Sequence, residues 1–80
     1  LTLNTGDLLW SVEDYVRAEE LYRLALDKGA DRDAALTRIG MAQAMQGNYA
    51  AAVETFGQVS GARAPVAAMW AAYAQGQLAG

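Results

Sequence analysis

Eighty residues with no cysteine and no histidine, six basic and nine acidic side chains and a net charge of −3 make one small domain at most. The two missing residue types exclude disulfides, thiol chemistry, the usual zinc sites and the commonest general base at neutral pH. A net negative chain lacks the electrostatic footprint of a nucleic-acid binder, no apolar run is long enough to insert in a bilayer, and no signal peptide is visible. The chain opens on Leu1 rather than Met, which points to a segment of a longer protein. Alanine is abundant, Pro65 is the single proline and β-branched runs are scarce, so the expected fold class is all-α.

In chain order, a first helix is expected over about residues 5–12. Leu8, Leu9 and Val12 supply its apolar stripe, Asn4 or Thr5 its cap, and Asp7 a negative charge in the first turn. Residues 14–27 read as a second helix, with Val16, Leu21, Leu24 and Leu26 joining Ala18, Tyr22 and Ala25 on a wide apolar face. Glu19 stands four residues before Arg23, a pair worth about 0.2–0.5 kcal/mol. Lys28-Gly29 closes the helix with a cation and then a residue that tolerates a left-handed turn. A third helix is capped by Asp31 or Asp33 and reaches about Gln46. Gly40 inside it costs about 0.5–1 kcal/mol against alanine, and close packing on Ala52 of the next helix is the expected reason. Gly47-Asn48 turns the chain into a fourth helix from Tyr49 to near Val59, with Gly57 inside it for no visible purpose and Ser60-Gly61 ending it. Pro65 fits the first turn of a fifth helix that runs to about Leu78.

These elements repeat. Tyr15, Ala18, Tyr22 and Ala25 return 34 positions later as Tyr49, Ala52, Phe56 and Val59. Gly6 returns as Gly40 and then as Ala74, and Leu36 and Ile39 return as Trp70 and Tyr73. A fixed period of this length is one supersecondary unit stacked on itself. The series Leu36, Ile39, Gly40, Gly47, Tyr49, Ala52, Phe56 and Val59 resembles the tetratricopeptide repeat family, written W-x2-L-G-x2-Y in helix A, G-x-Y at the turn and A-x3-F-x2-A in helix B. The resemblance implies a right-handed helical-repeat solenoid of antiparallel helix pairs. Two units, 1–32 and 33–66, are followed by a lone third helix A in 67–80. Gln43 and Gln77 depart from the pattern where an aromatic or leucine is usual, which predicts looser packing of helix A. Glu13 replaces the turn glycine of the first unit, and Pro65 comes one residue late.

No catalytic constellation accompanies the repeat. Glu13-Asp14 and Glu19-Glu20 lie at or near a helix start, where acids favour the dipole. Asp27, Asp31 and Asp33 lack the glycine and closing glutamate of a calcium loop, and Ser11 and Ser60 have no His or Lys beside them. The sequence therefore predicts neither an enzyme nor a cofactor, and what remains is a surface. The resemblance implies that helix A of each unit lines a concave groove for a protein or peptide. By position, the groove takes Leu3, Asp7 and Trp10 from the first helix, Thr37, Met41, Ala44 and Met45 from the third, and Ala68, Ala71 and Gln75 from the fifth. Arg38 is its only basic helix A residue. The family's Lys, Asn and Arg clamp for a terminal carboxylate is absent, because Leu3, Asp7, Thr37 and Met41 occupy those places. A shallow apolar groove with two adaptable methionines suits an apolar helix or extended segment. With equal weight, Met41 and Met45 read as core beneath a preceding repeat. In style, the alanine-rich repeats resemble those of bacterial envelope, pilus, secretion and polysaccharide-export assemblies.

Charge is uneven. Residues 64–80 carry none, yet hold Met69, Trp70, Tyr73 and Leu78. A terminal helix in a solenoid needs a polar outer face. Two readings follow: a further helix covers this surface, which is the favoured one, or the surface joins two copies in a homo-oligomer.

Overall fold

The computed structural model describes residues 2–80. They form five α-helices: α1 (Leu3–Ser11), α2 (Tyr15–Asp27), α3 (Arg32–Met45), α4 (Tyr49–Phe56) and α5 (Ala64–Ala79), with a 3-10 turn at Gly61–Arg63 leading into α5. Each helix packs on its successor, and α3 also touches α5. The result is a flat zigzag of 36 × 28 × 16 Å, the form of a helical-repeat solenoid.

The turns between helices repeat as the residues do. At the end of α1, the Asp14 N–H donates to the Leu9 carbonyl at 2.9 Å and Glu13 donates to Trp10 at 2.9 Å. At the end of α3, Asn48 donates to Gln43 at 2.9 Å and Gly47 to Ala44 at 3.0 Å. Both are Schellman ends, in which one left-handed residue lets the chain satisfy two orphan carbonyls. Gly47 fills that place at φ 81°, whereas Glu13 fills it at φ 61°. A side chain there costs about 1–2 kcal/mol, and a glycine adds back about 0.4–1 kcal/mol of unfolded-chain entropy. Glu13→Gly is therefore expected to raise stability by up to about 1 kcal/mol. Gly47→Ala should lower it, and paired urea titrations would show the opposite signs.

Burial centres on α3, which buries nine residues spread around its circumference. On one side Ile39 and Ala42 meet Ala18 and Tyr22 of α2. On the other, Leu36 and Ala44 join Ala52, Phe56, Val59, Ala67 and Ala74. The repeating glycine of helix A seats an aromatic ring in both units. A Cβ at Gly40 would fall 2.5–2.8 Å from carbons of the Phe56 ring, and one at Gly6 would meet Tyr22 in the same way. The nearest atoms at this seat belong to Phe56, one turn further along the same helix than the expected Ala52, which is buried in the same cluster.

Three other expectations change, and the choice between Asp31 and Asp33 as the cap of α3 is decided. Helix α1 starts at Leu3, so Thr2 is its N-cap, without a side-chain cap bond, and Asp7 lies beyond the first turn. Asp31 caps α3 through the Ala34 N–H at 2.9 Å, while Asp33 accepts the Ser60 N–H at 3.1 Å and anchors the loop after α4. Helix α4 stops at Phe56, with Gly57 as its C-cap rather than an interior residue. Gln43 does not loosen α3. Its buried amide, with nitrogen toward Thr55 and oxygen toward Arg23, bonds Thr55 Oγ1 at 2.7 Å and the Arg23 guanidinium at 3.0 Å, tying α2, α3 and α4 together. The Glu19–Arg23 pair forms at 2.7 Å and shares this polar seam.

Candidate functional site

On one face of the array, helices α1 and α3 and the start of α5 enclose a cavity of about 270 Å³. Its polar centre is Asp7. The Tyr22 hydroxyl donates to Asp7 at 2.6 Å, and the Arg38 guanidinium donates Nε at 3.0 Å and Nη2 at 3.2 Å. Trp10, Thr37 and Met41 form the walls, and Arg63 and Val66 close the end nearest α5. The Trp10 ring is fixed edge-on against Tyr15, with centroids 4.9 Å apart.

The charges of this cavity are largely settled within it. Burial pushes the Asp7 carboxyl up, but the hydrogen bonds from Arg38 and Tyr22 and the charge of Arg38 outweigh it, and Asp7 sits below its ordinary value. Burial first, and the Asp7 carboxylate second, raise the Tyr22 phenol, so it stays a proton donor at neutral pH. Arg38 is spent on Asp7. Arg63, exposed at the rim, makes no ion pair among the described residues.

A second opening of about 490 Å³ lies between α3 and α5, lined by Met45, Met69, Trp70 and Tyr73. The aromatic rings of α5 also hold it to α4: Trp70 lies 6.2 Å from Phe56, and Tyr73 lies 6.2 Å from Tyr49, edge to face.

Of the groove residues expected from the sequence, the structure brings Asp7, Trp10, Thr37, Arg38 and Met41 together. Met45 lies one turn beyond Met41 and belongs to the second opening. Ala44 is 2% exposed and packs in the core with Ala52 and Phe56, so it has no surface to offer a partner. Leu3 and Ala71 are half-buried against the two clusters, and Ala68 and Gln75 are exposed away from both cavities. Tyr22, Arg63 and Val66 were not expected in the cavity. For Tyr22 a signal existed, because Asp7 and Tyr22 in the first unit become Met41 and Phe56 in the second. An acid facing a phenol is exchanged as a pair for a thioether facing a phenyl. Arg63 and Val66 had none.

The zigzag, the paired glycine–aromatic seats and the matching turns define the unit, and a profile of the tetratricopeptide repeat matches residues 9–76. The chain belongs to the tetratricopeptide repeat family. Comparison with curated proteins and with solved structures returns no match. Tetratricopeptide repeats generally mediate protein–protein interaction and are typically non-catalytic scaffolds. In the vocabulary of the family α1, α3 and α5 are A helices and α2 and α4 are B helices, so the Asp7 cavity is the meeting place of three successive A helices. No helix among the described residues is long and apolar enough to cross a membrane.

Proposed function

We propose that this domain is a protein-interaction module that holds an apolar segment of a partner in the cavity between α1, α3 and α5. The observation that supports this reading is the internal closure of the cavity's charges. With Asp7, Tyr22 and Arg38 satisfied by one another, the surface left for contact is Trp10, Met41 and Val66. A strongly charged segment finds no free partner at the centre of the cavity, where Asp7 and Arg38 are already paired. An apolar side chain only displaces water from an aromatic face, a flexible thioether and a valine. Arg63 at the rim adds room for one acidic residue of the partner.

Peptide display on residues 1–80, followed by amide-shift mapping with a selected peptide, tests this. Apolar sequences should be enriched and shifts should cluster at Thr37, Met41 and Val66. Met41→Glu should weaken binding at least tenfold, about 1.4 kcal/mol, with helicity retained. If that half-buried variant loses helicity, Val66→Glu at its half-exposed site gives the same readout. Shifts confined to the outer faces of α2 and α4, or undiminished binding by a folded Glu variant, would remove the cavity from the mechanism.

A further inference from the structure

We infer that the segment held in the cavity carries one acidic side chain near its apolar anchor, and that this carboxylate pairs with Arg63 at the α5 end. The inference rests on the reading of the cavity as a protein-binding site and adds the chemistry and the lie of its occupant. Arg17, Arg23 and Arg38 pair with Asp14, Glu19 and Asp7, and Arg32 bonds Gln58. Arg63 makes no ion pair among the described residues and stands exposed at the rim. Asp33, beside the turn at Gly61, is already held by Ser60, whose N–H donates to it at 3.1 Å and whose hydroxyl donates at 3.3 Å. The repeat does not need this cation either, since its equivalent 34 positions earlier is Gly29. Four arginines serve the fold, and the fifth faces the opening.

The charges of the lining set the pattern of the occupant. Asp7 and Arg38 cancel, which leaves Arg63 as a surplus cation in a chain whose net charge is −3. A carboxylate at the α5 end meets the unpaired guanidinium. A carboxylate at the α1 end meets Asp7, and a cation at the α5 end meets Arg63, so the charges select against both. The apolar anchor therefore lies between α1 and α3, on Trp10 and Met41. Packed helices are about 8–10 Å apart and extended chain advances about 3.3 Å per residue, so the step from Met41 on α3 to Arg63 at the start of α5 is about three residues. The sides of the cavity come from α1, α3 and the start of α5, and α2 and α4 pack on these helices without covering it. A further helix in the same repeat would lie beside α1 or α5 and lengthen the groove instead of closing it. An exposed ion pair is weak, so Arg63 contributes about two- to fivefold in affinity and acts mainly on the choice of partner.

Selection of a displayed random-peptide library on residues 1–80, and in parallel on Arg63→Glu, reads the pattern. The native domain should enrich Asp or Glu about three residues from the apolar anchor. Arg63→Glu, at an exposed position, should keep the circular dichroism spectrum and the apolar preference but take Lys or Arg in place of the acid. A peptide selected on the native domain should bind Arg63→Gln about two- to fivefold more weakly, and the difference should shrink at high salt. Amidation of its C-terminus should leave the affinity unchanged, and a nitroxide beside its acid should broaden the Val66 amide more than that of Trp10. An apolar preference without an acid, or the same acid preference on both domains, overturns the inference and leaves the binding reading standing. A loss on amidation assigns the carboxylate to a chain end, and stronger broadening at Trp10 reverses the segment, and either result overturns the inference too. Absence of apolar enrichment from both selections removes the binding reading itself, and the inference with it.

Discussion

Gly40→Ala is expected to destabilise the protein by about 1–3 kcal/mol, the reverse of what alanine does at most helical glycines. The usual gain of about 0.5–1 kcal/mol comes from a stiffer unfolded chain and a better helix former. Here the new methyl would lie 2.5–2.8 Å from the Phe56 ring. That ring is 3% exposed and is backed by Trp70 at 6.2 Å, so it cannot swing into solvent. Overpacking must shift α4 against α3, which opens the larger core cluster. Gly76→Ala provides the control within the same chain. It too replaces a glycine inside an A helix, but into open space, and it should gain about 0.5–1 kcal/mol. In a domain of this size 1 kcal/mol moves the melting temperature by about 4–8 °C, so the two variants should separate clearly in thermal unfolding followed by circular dichroism. Equal shifts of the same sign would show that Phe56 is not seated against α3.

The architecture was legible because the repeat signal is carried by residues with geometric duties. Tyr22, Phe56, Gly6, Gly40, Ala18 and Ala52 are the contacts that join helices, so their spacing states the packing directly. What the sequence left ambiguous was decided by tertiary partners. Asp31 and Asp33 are equivalent as caps on paper, and Ser60 breaks the tie by taking Asp33. Gln43 looks like a packing defect until Arg23 and Thr55 converge on its two amide atoms. Helix α4 ends at Phe56, earlier in the repeat than α2 does, and beyond it Arg63 and Val66 reach the cavity while Met69 is 72% exposed.

The candidate site was legible by halves for a related reason. The family resemblance, carried over by position, gives a direction from each helix axis, and that collected Asp7, Trp10, Thr37 and Met41. It does not give depth. Ala44 lies near the groove in direction but is covered by α4 and α5, whereas Met45, one residue on, is 43% exposed and turns toward Tyr73. Direction also says nothing of a partner two helices away, so the bond from Arg38 on α3 to Asp7 on α1 appears only when the units stack.

Replacing Asp7 with Met and Tyr22 with Phe together should cost less than replacing Asp7 alone. The second unit already holds this solution, with Met41 and Phe56 at the equivalent positions. Asp7→Met strands the Tyr22 hydroxyl, on a residue 1% exposed, without its acceptor, a loss of about 1–3 kcal/mol. Tyr22→Phe removes one donor but leaves the Asp7–Arg38 pair, and about 1 kcal/mol is expected. The double change removes donor and acceptor together, a substitution that is often nearly neutral, and the partly exposed Arg38 side chain keeps its access to water. A double-mutant cycle in urea should therefore give a coupling of about 1 kcal/mol or more. Acid supplies an independent readout. Asp7 titrates below its ordinary value in the folded protein, so its contribution is present above about pH 4 and is lost as pH falls through the lower folded value. The raised Tyr22 phenol stays protonated across that range, so the change belongs to the carboxylate. The double variant should lose less stability than the native chain between about pH 4 and pH 2. Additive costs at neutral pH together with parallel acid curves would show that the triad is a surface contact and not the joint that fixes α1 on α3.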